Sequence, residues 1–169
     1  MKLFLKYILS MSLLSTFFNT KAQDKNSIYP KENFSVIQAK LRNGKPVIGS
    51  INMAYKNYNK KAQYAWCLTI NIGLDLKNVN ENGLPLQSES DIANKFEDEL
   101  IKNISKYATV HYIGHLYNDS FLDIYIYLDK PEMIDQYLKK EVNKKDVTRG
   151  FAYEIKKDVD WNIVKPYFK

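Results

Sequence analysis

The chain has 169 residues, of which 45% are hydrophobic and 26% are charged. This size and composition fit one domain with one hydrophobic core, and they exclude wholesale disorder or two full domains. The formal charge of +6 overstates the basic character, because Lys2, Lys6 and Lys21 lie in a segment that we expect to be removed. The 22 basic and 19 acidic residues that remain include no long basic run, which does not favour a nucleic-acid partner.

The first 22 residues are typical of a secretory signal peptide. Lys2 and Lys6 precede an apolar run at 7–18, and the small residues Thr20 and Ala22 fit cleavage after Ala22. The run is shorter than the roughly 20 apolar residues that span a bilayer. The sequence therefore predicts an exported protein, periplasmic or secreted, with no stable membrane anchor after cleavage. A retained anchor or an amphipathic first helix is the alternative.

The elements that follow begin with three predicted strands. Two β-prone runs, Phe34 to Leu41 and Pro46 to Tyr55, flank Arg42-Asn43-Gly44-Lys45. The Asn-Gly pair predicts a hairpin, because both residues tolerate positive φ. From Trp66 to Leu76 apolar and polar residues alternate, which predicts a central strand with one buried face.

Two amphipathic helices are predicted. Ser88 caps the first helix, and Glu97 and Asp98 lie on its solvated side. Its apolar stripe has a spacing of four and comprises Ile92, Phe96, Leu100 and Ile104. The second helix begins at Pro131, which suits a first helical turn, and ends near Val142.

A second hairpin lies between the two helices. Its strands run from Ala108 to Tyr117 and from Phe121 to Leu128, around an Asn118-Asp119 loop. The cross-strand pairs predicted from that loop are Ile113 with Ile124 and Tyr112 with Tyr125.

The order of elements predicts an α+β fold. A β-α-β-β-α-β series gives the split βαβ, ferredoxin-like arrangement, an antiparallel sheet with helices on one face. The additional N-terminal β-hairpin extends or covers this sheet. Residues 23–32 form a short polar segment, and 33–169 are predicted to form a single domain. Its last strand lies near Phe151 to Ile155, and an aromatic tail, Trp161 to Phe168, closes the domain.

Several local patterns, in a fixed order, resemble the bacterial family known as domain of unknown function 695. The matching stretches are Asn33-Phe34-Ser35-Val36, Asn43-Gly44-Lys45-Pro46, Asn82-Gly83-Leu84-Pro85, Glu97-Asp98-Glu99-Leu100, Ile113-Gly114-His115, Asp123-Ile124-Tyr125-Ile126-Tyr127 and Asp158-Val159-Asp160-Trp161. The family pattern tends to have arginine where this chain has His115 and proline where it has Val159, so a role that depends on that arginine is not carried over. The resemblance implies mainly a fold.

That family is distantly similar to the regulator of ribonuclease E activity, protein B. The regulator acts in the cytoplasm on a ribonuclease, and an exported chain would not meet that enzyme.

Metal, cofactor and disulfide chemistry are not expected. His111 and His115 are four residues apart on a strand, hence about 13 Å apart, and cannot share an ion. Cys67 is the only cysteine and cannot form an internal disulfide. No catalytic motif is present, and Glu97, Asp98 and Glu99 are interpreted as a solvated helix face.

The second hairpin carries the candidate binding residues. The predicted pairing places Tyr112, Phe121, Tyr125 and Tyr127 on one side of the sheet, opposite Ile113, Leu122, Ile124 and Ile126. That aromatic side is either packed or an open surface for a protein or glycan of the cell envelope. His115 and Asp123 complete the predicted set.

These residues suggest three functions. The first hypothesis is a non-enzymatic binding or regulatory module of the cell envelope. The alternative is an enzyme, possibly a hydrolase, assembled from residues that converge in space, such as His115, Asp123 and Tyr125. A nucleic-acid binder is third.

Overall fold

The computed structural model describes residues 28–145 and 147–169, so the predicted signal peptide and its cleavage site lie outside the described residues. The domain is α+β, as predicted. Its strands are β1 (Phe34–Lys40), β2 (Pro46–Asn52), β3 (Trp66–Gly73), β4 (Val110–Asn118), β5 (Phe121–Leu128) and β6 (Phe151–Lys157), and its helices are α1 (Gln87–Ile104) and α2 (Pro131–Glu141). Neither helix has the length and apolar character needed to cross a membrane, within the part of the chain that is described.

All six strands form one antiparallel sheet in the order β1-β2-β4-β5-β3-β6. The first hairpin extends the sheet, because β2 pairs with β4. β3 lies between β5 and β6, which confirms the central position predicted from its alternating pattern. The edge strands of the sheet are therefore β1 and β6.

One face of the sheet is covered by both helices; we call it the helix face. Its core combines the alternating side chains of β3 and β5 with the apolar stripes of α1 and α2. The fully buried members include Leu68, Ile70, Ile72, Leu122, Ile124, Ile126, Ile104, Ile134 and Leu138. Burying this continuous apolar surface is the main stabilising contribution to the fold.

The opposite face, the tail face, is covered by two short 3₁₀ turns and by the C-terminal segment. Trp161 is fully buried and stacks on Tyr127, with ring centroids 4.0 Å apart. The Trp161 indole donates to the carbonyl of Tyr64 at 3.0 Å. The aromatic side of the second hairpin is therefore packed, and the C-terminal tail rather than the first hairpin packs against it.

The predicted register of the second hairpin is wrong. The loop is Asp119-Ser120, and a β-bulge lies between Tyr112 and Gly114. Tyr112 consequently lies opposite Ile126, and it faces the helices. Ile113 belongs to the tail face instead.

The bulge has a physical cause at Gly114. This residue has φ of +145°, and a Cβ there would lie 2.0 Å from the backbone oxygen of Ser50 on β2. No side chain fits in that gap, so the close approach of β2 and β4 requires glycine.

Two predictions about α1 are also wrong. The helix begins at Gln87, after Leu86, with no side-chain cap, so Ser88 lies inside it. Its buried stripe comprises Glu89, Ala93, Glu97, Leu100 and Ile104. Glu97 therefore faces the sheet rather than solvent, whereas the predicted stripe residue Ile92 is exposed.

Candidate functional site

Within the described residues, the helices pack on the other four strands, which leaves a two-strand-wide groove over the first hairpin on the helix face. Its floor carries an apolar ridge of three exposed side chains, Phe34 (43% exposed), Val36 (70%) and Ile48 (39%). Val36 lies opposite Ser50, and Ser50 lies opposite His115 on β4. The ridge is thus continuous with the inner wall of the groove, where β4 meets α1.

That inner wall contains a polar cluster of Glu97, Tyr112 and His115. The Tyr112 hydroxyl donates to Glu97 Oε1 at 2.8 Å, and His115 Nδ1 lies 2.7 Å from Glu97 Oε2. Because an ionised carboxylate only accepts hydrogen bonds, Nδ1 carries the proton. The carboxylate is only 4% exposed, whereas the His115 side chain is 20% exposed. The cluster therefore fixes the imidazole and leaves part of its ring open to the groove.

Tyrosine hydroxyls act as fixed donors in this wall. Burial raises the pKa of Tyr112, and the nearby Glu97 charge raises it further. Burial and the same carboxylate raise the pKa of Tyr117, whose hydroxyl donates to Asn94 Oδ1 at 2.6 Å. Both hydroxyls therefore stay protonated and keep β4 attached to α1.

The α1 side of the groove is acidic. Asp91 and Asp98 are exposed, and both act electrostatically on the groove tyrosines. Neither forms an ion pair with another described residue. A small cavity of about 210 Å³ opens at the start of α1, lined by Ile48, Leu84, Pro85, Gln87, Ser90 and Tyr117. The groove thus combines an apolar floor with a negatively charged wall.

His115 has free hydrogen-bonding capacity on the side of the groove. Its Nδ1 is bonded to Glu97, and its Nε2 has no hydrogen-bond partner among the residues that the structure describes. In a neutral imidazole whose proton is on Nδ1, Nε2 accepts a hydrogen bond. A ligand that donates a hydrogen bond fits this position.

The structure divides the predicted site residues between two faces. Tyr112 and His115 line the groove, as described. Tyr127 is fully buried, with its hydroxyl donating to Asp158 at 2.6 Å, and the Tyr125 hydroxyl lies 3.1 Å from that of Tyr167 under the tail.

Phe121 and Asp123 lie at the far end of the tail face. Phe121 is exposed, and Asp123 accepts a hydrogen bond from the Asn118 amide at 2.7 Å. His115 faces the helices, so it does not converge with Asp123 and Tyr125. The catalytic set of His115, Asp123 and Tyr125 that was suggested from the sequence is therefore wrong.

The two histidines of β4 also lie on opposite faces. His111 is fully buried on the tail face. Its ring is surrounded by those of Tyr29, Tyr55, Tyr58, Tyr64 and Trp161, with centroids between 4.0 and 6.1 Å away. Burial lowers its pKa from 6.5 to about 4, and its Nε2 has no partner among the described residues. His111 is a neutral core residue.

A second, larger cleft runs between α2 and β6, with a volume of about 610 Å³. Its Asp135 carboxylate is already bonded to Lys139 at 2.6 Å and to the Tyr153 hydroxyl at 2.7 Å. The groove on the first hairpin is the stronger candidate, since its ridge is apolar and exposed and its His115 Nε2 is unpartnered among the described residues.

Sequence reasoning missed Glu97, Ser50 and the exposed ridge. One signal for Glu97 was available: it continues the helical spacing of Ala93, Leu100 and Ile104, which places it on the buried stripe. The ridge had no such signal, because which strand face is covered depends on where the helices pack.

Comparison with known proteins identifies a family but no characterised relative. The chain belongs to the family described as "Family of unknown function (DUF695)", whose model matches residues 33–168. No curated protein matches the chain. No solved structure matches it either.

Proposed function

We propose that this member of the DUF695 family is a non-enzymatic binding module of the cell envelope, which holds a protein partner in the groove on β1 and β2. The observation that carries the proposal is the exposed ridge of Phe34, Val36 and Ile48 beside the partly open His115. Large apolar side chains clustered on one face, with polar groups at the border, are typical of a protein interaction site.

The edge strands support the choice of this side of the molecule. β1 carries one charged residue, Lys40 at its end, whereas β6 carries Glu154, Lys156 and Lys157 within seven residues. Charged residues on an edge strand protect it from unwanted association. β6 has more of this protection than β1, which favours a partner on the β1 side.

The envelope location is part of the proposal. It rests on the charged, apolar and small-residue pattern of the first 22 residues. We also propose that β3 to β6 with the two helices form a ferredoxin-like split βαβ unit extended by the first hairpin. The spatial order β4-β5-β3-β6 and the antiparallel pairing support this topology.

Photo-crosslinking in living cells tests the proposal. A benzophenone side chain replaces Val36 in the full-length chain, and the matched control carries it at Ala152, an exposed position on β6. We expect a discrete protein adduct in the envelope fraction from position 36 and none from position 152. No adduct at position 36, or the same adducts from both positions, contradicts the proposal.

A second candidate function is hydrolysis of an ester. Ser50 lies directly opposite His115, whose Nδ1 is bonded to the buried Glu97. A hydroxyl, an imidazole and a carboxylate in this order could activate a nucleophile. Hydrolysis of a p-nitrophenyl ester that is abolished by Ser50→Ala would favour this function over binding alone, and an equal rate in both proteins would exclude it.

A further inference from the structure

We infer that the partner contributes an amphipathic α-helix, which packs on the helix face of β1 and β2 alongside α1. This inference rests on the proposed function and names the class of partner. The groove, the position of His115 and the charge of the α1 wall each support it.

The groove has the width of one helix. Neighbouring strands lie about 4.8 Å apart, so two uncovered strands present a strip about 10 Å wide. A helix with its side chains is about 10 Å across, and packed helices lie about 8–10 Å apart. A helix seated on this strip therefore continues the layer formed by α1 and α2.

The position of His115 distinguishes a helix from an added strand. A strand that paired with the free edge of β1 would lie three strand spacings from β4, about 14 Å away, and could not reach His115. A helix on the face contacts Val36 and Ile48 below it and His115 beside it. A helix therefore engages the ridge and the open imidazole together.

The α1 wall specifies the charge of the partner. Asp91 and Asp98 are exposed and seven positions apart, and neither forms an ion pair with another described residue. Seven residues span about 10 Å along a helix, so the two carboxylates mark a line along α1. A helix with an apolar stripe and a neighbouring row of Lys or Arg complements this line, and a donor group on its inner side can bond to His115 Nε2.

Three synthetic peptides of about five helical turns test the inference against the mature chain. The first places Leu at helical spacing with Lys elsewhere. The second has the same composition with Leu and Lys alternating as in a strand, and the third replaces Lys by Glu in the helical pattern. Fluorescence anisotropy measures the dissociation constants, and circular dichroism measures whether the peptide becomes helical when it binds.

We expect the basic helical peptide to bind at least about tenfold more tightly than the other two, which is about 1.4 kcal/mol, and to gain helicity. Val36→Lys should weaken this binding about tenfold or more, and Asp98→Lys should weaken it by a smaller factor. Ala152→Lys on β6, the matched control, should leave it unchanged.

The outcomes separate this inference from the proposed function. If the alternating peptide binds most tightly and Val36→Lys abolishes that binding, the partner does not bind as a helix. The proposal of a binding module on β1 and β2 is then retained. Binding that is equal for all three peptides, or equal in Val36→Lys and the unchanged protein, overturns the inference, as does a failure of every peptide to bind. If the photo-crosslinker at position 36 nevertheless forms a discrete adduct in cells, the proposed function is retained and only the helical partner is rejected.

Discussion

The surroundings of His111 and His115 differ in every respect that matters for function, although both residues lie on β4. His111 is enclosed by aromatic rings, is bonded to no carboxylate of the described residues and is held neutral by burial. His115 is bonded to a carboxylate and is partly open to a groove. One region is a packed core, and the other has the free polar group and exposed apolar surface that a binding site needs.

The bulge at Gly114 creates this difference. In a regular strand, residues four apart point to the same face. The extra residue shifts the alternation, so the two histidines point to opposite faces. A single glycine on β4 therefore separates a structural histidine from a functional candidate.

Substitution of Gly114 should have the largest effect on the stability of the fold. Gly114→Ala places a Cβ 2.0 Å from the Ser50 oxygen at a φ of +145°, so we expect the free energy of unfolding to fall by at least about 4 kcal/mol. Urea titration followed by circular dichroism measures the loss. Gly150→Ala, where the added methyl meets open space, is the control, and equal stability of the two variants would contradict the role of the bulge.

Acid should destabilise the protein through His111. Its pKa in the folded state, about 4, lies below the ordinary 6.5, so the unfolded chain binds the proton first. Stability should be lost as the pH falls from about 6.5 to 4, by up to about 3 kcal/mol. His111→Gln should remove this part of the pH dependence in urea titrations. His115→Gln, on the opposite face, should retain this pH dependence. If the change of stability with pH is the same in His111→Gln as in the unchanged protein, His111 is not the group responsible.

Removal of the buried carboxylate should loosen the groove wall. Glu97→Ala leaves the Tyr112 hydroxyl and His115 Nδ1 without their acceptor, and we expect a loss of about 2 kcal/mol. Calorimetry of thermal unfolding can compare it with Glu99→Ala, which changes an exposed position on the same helix. Glu99→Ala should lower the free energy of unfolding by less than about 0.5 kcal/mol. Similar losses in the two variants would mean that Glu97 is effectively solvated.

The smallest effect on stability should come from the ridge. Val36→Lys changes a side chain that is 70% exposed, so its free energy of unfolding should stay within about 0.5 kcal/mol of the unchanged protein. The same variant should weaken binding of the basic helical peptide about tenfold or more. A large loss of stability would show that the ridge is part of the core rather than a binding surface.

Much of the fold follows from local patterns in the sequence. The alternation from Trp66 onward predicts β3 and its central position, and Asn43-Gly44 predicts the first hairpin; the structure confirms both. Pro131 begins α2 as predicted, and the Trp161 tail closes the domain. These features depend on residues close together in the chain, whose conformational preferences can be read without knowing their distant neighbours.

The candidate site depended on tertiary structure. The bulge requires glycine because β4 approaches β2 too closely for a side chain at Gly114. Glu97 can be buried because β4 supplies hydrogen-bond donors to it. Among residues 28–145 and 147–169, the ridge is open because the two helices cover only part of the six-stranded sheet. The sequence alone determined the elements and their order; long-range packing decided which faces they bury, since contact between distant segments sets the register and the burial of each side chain.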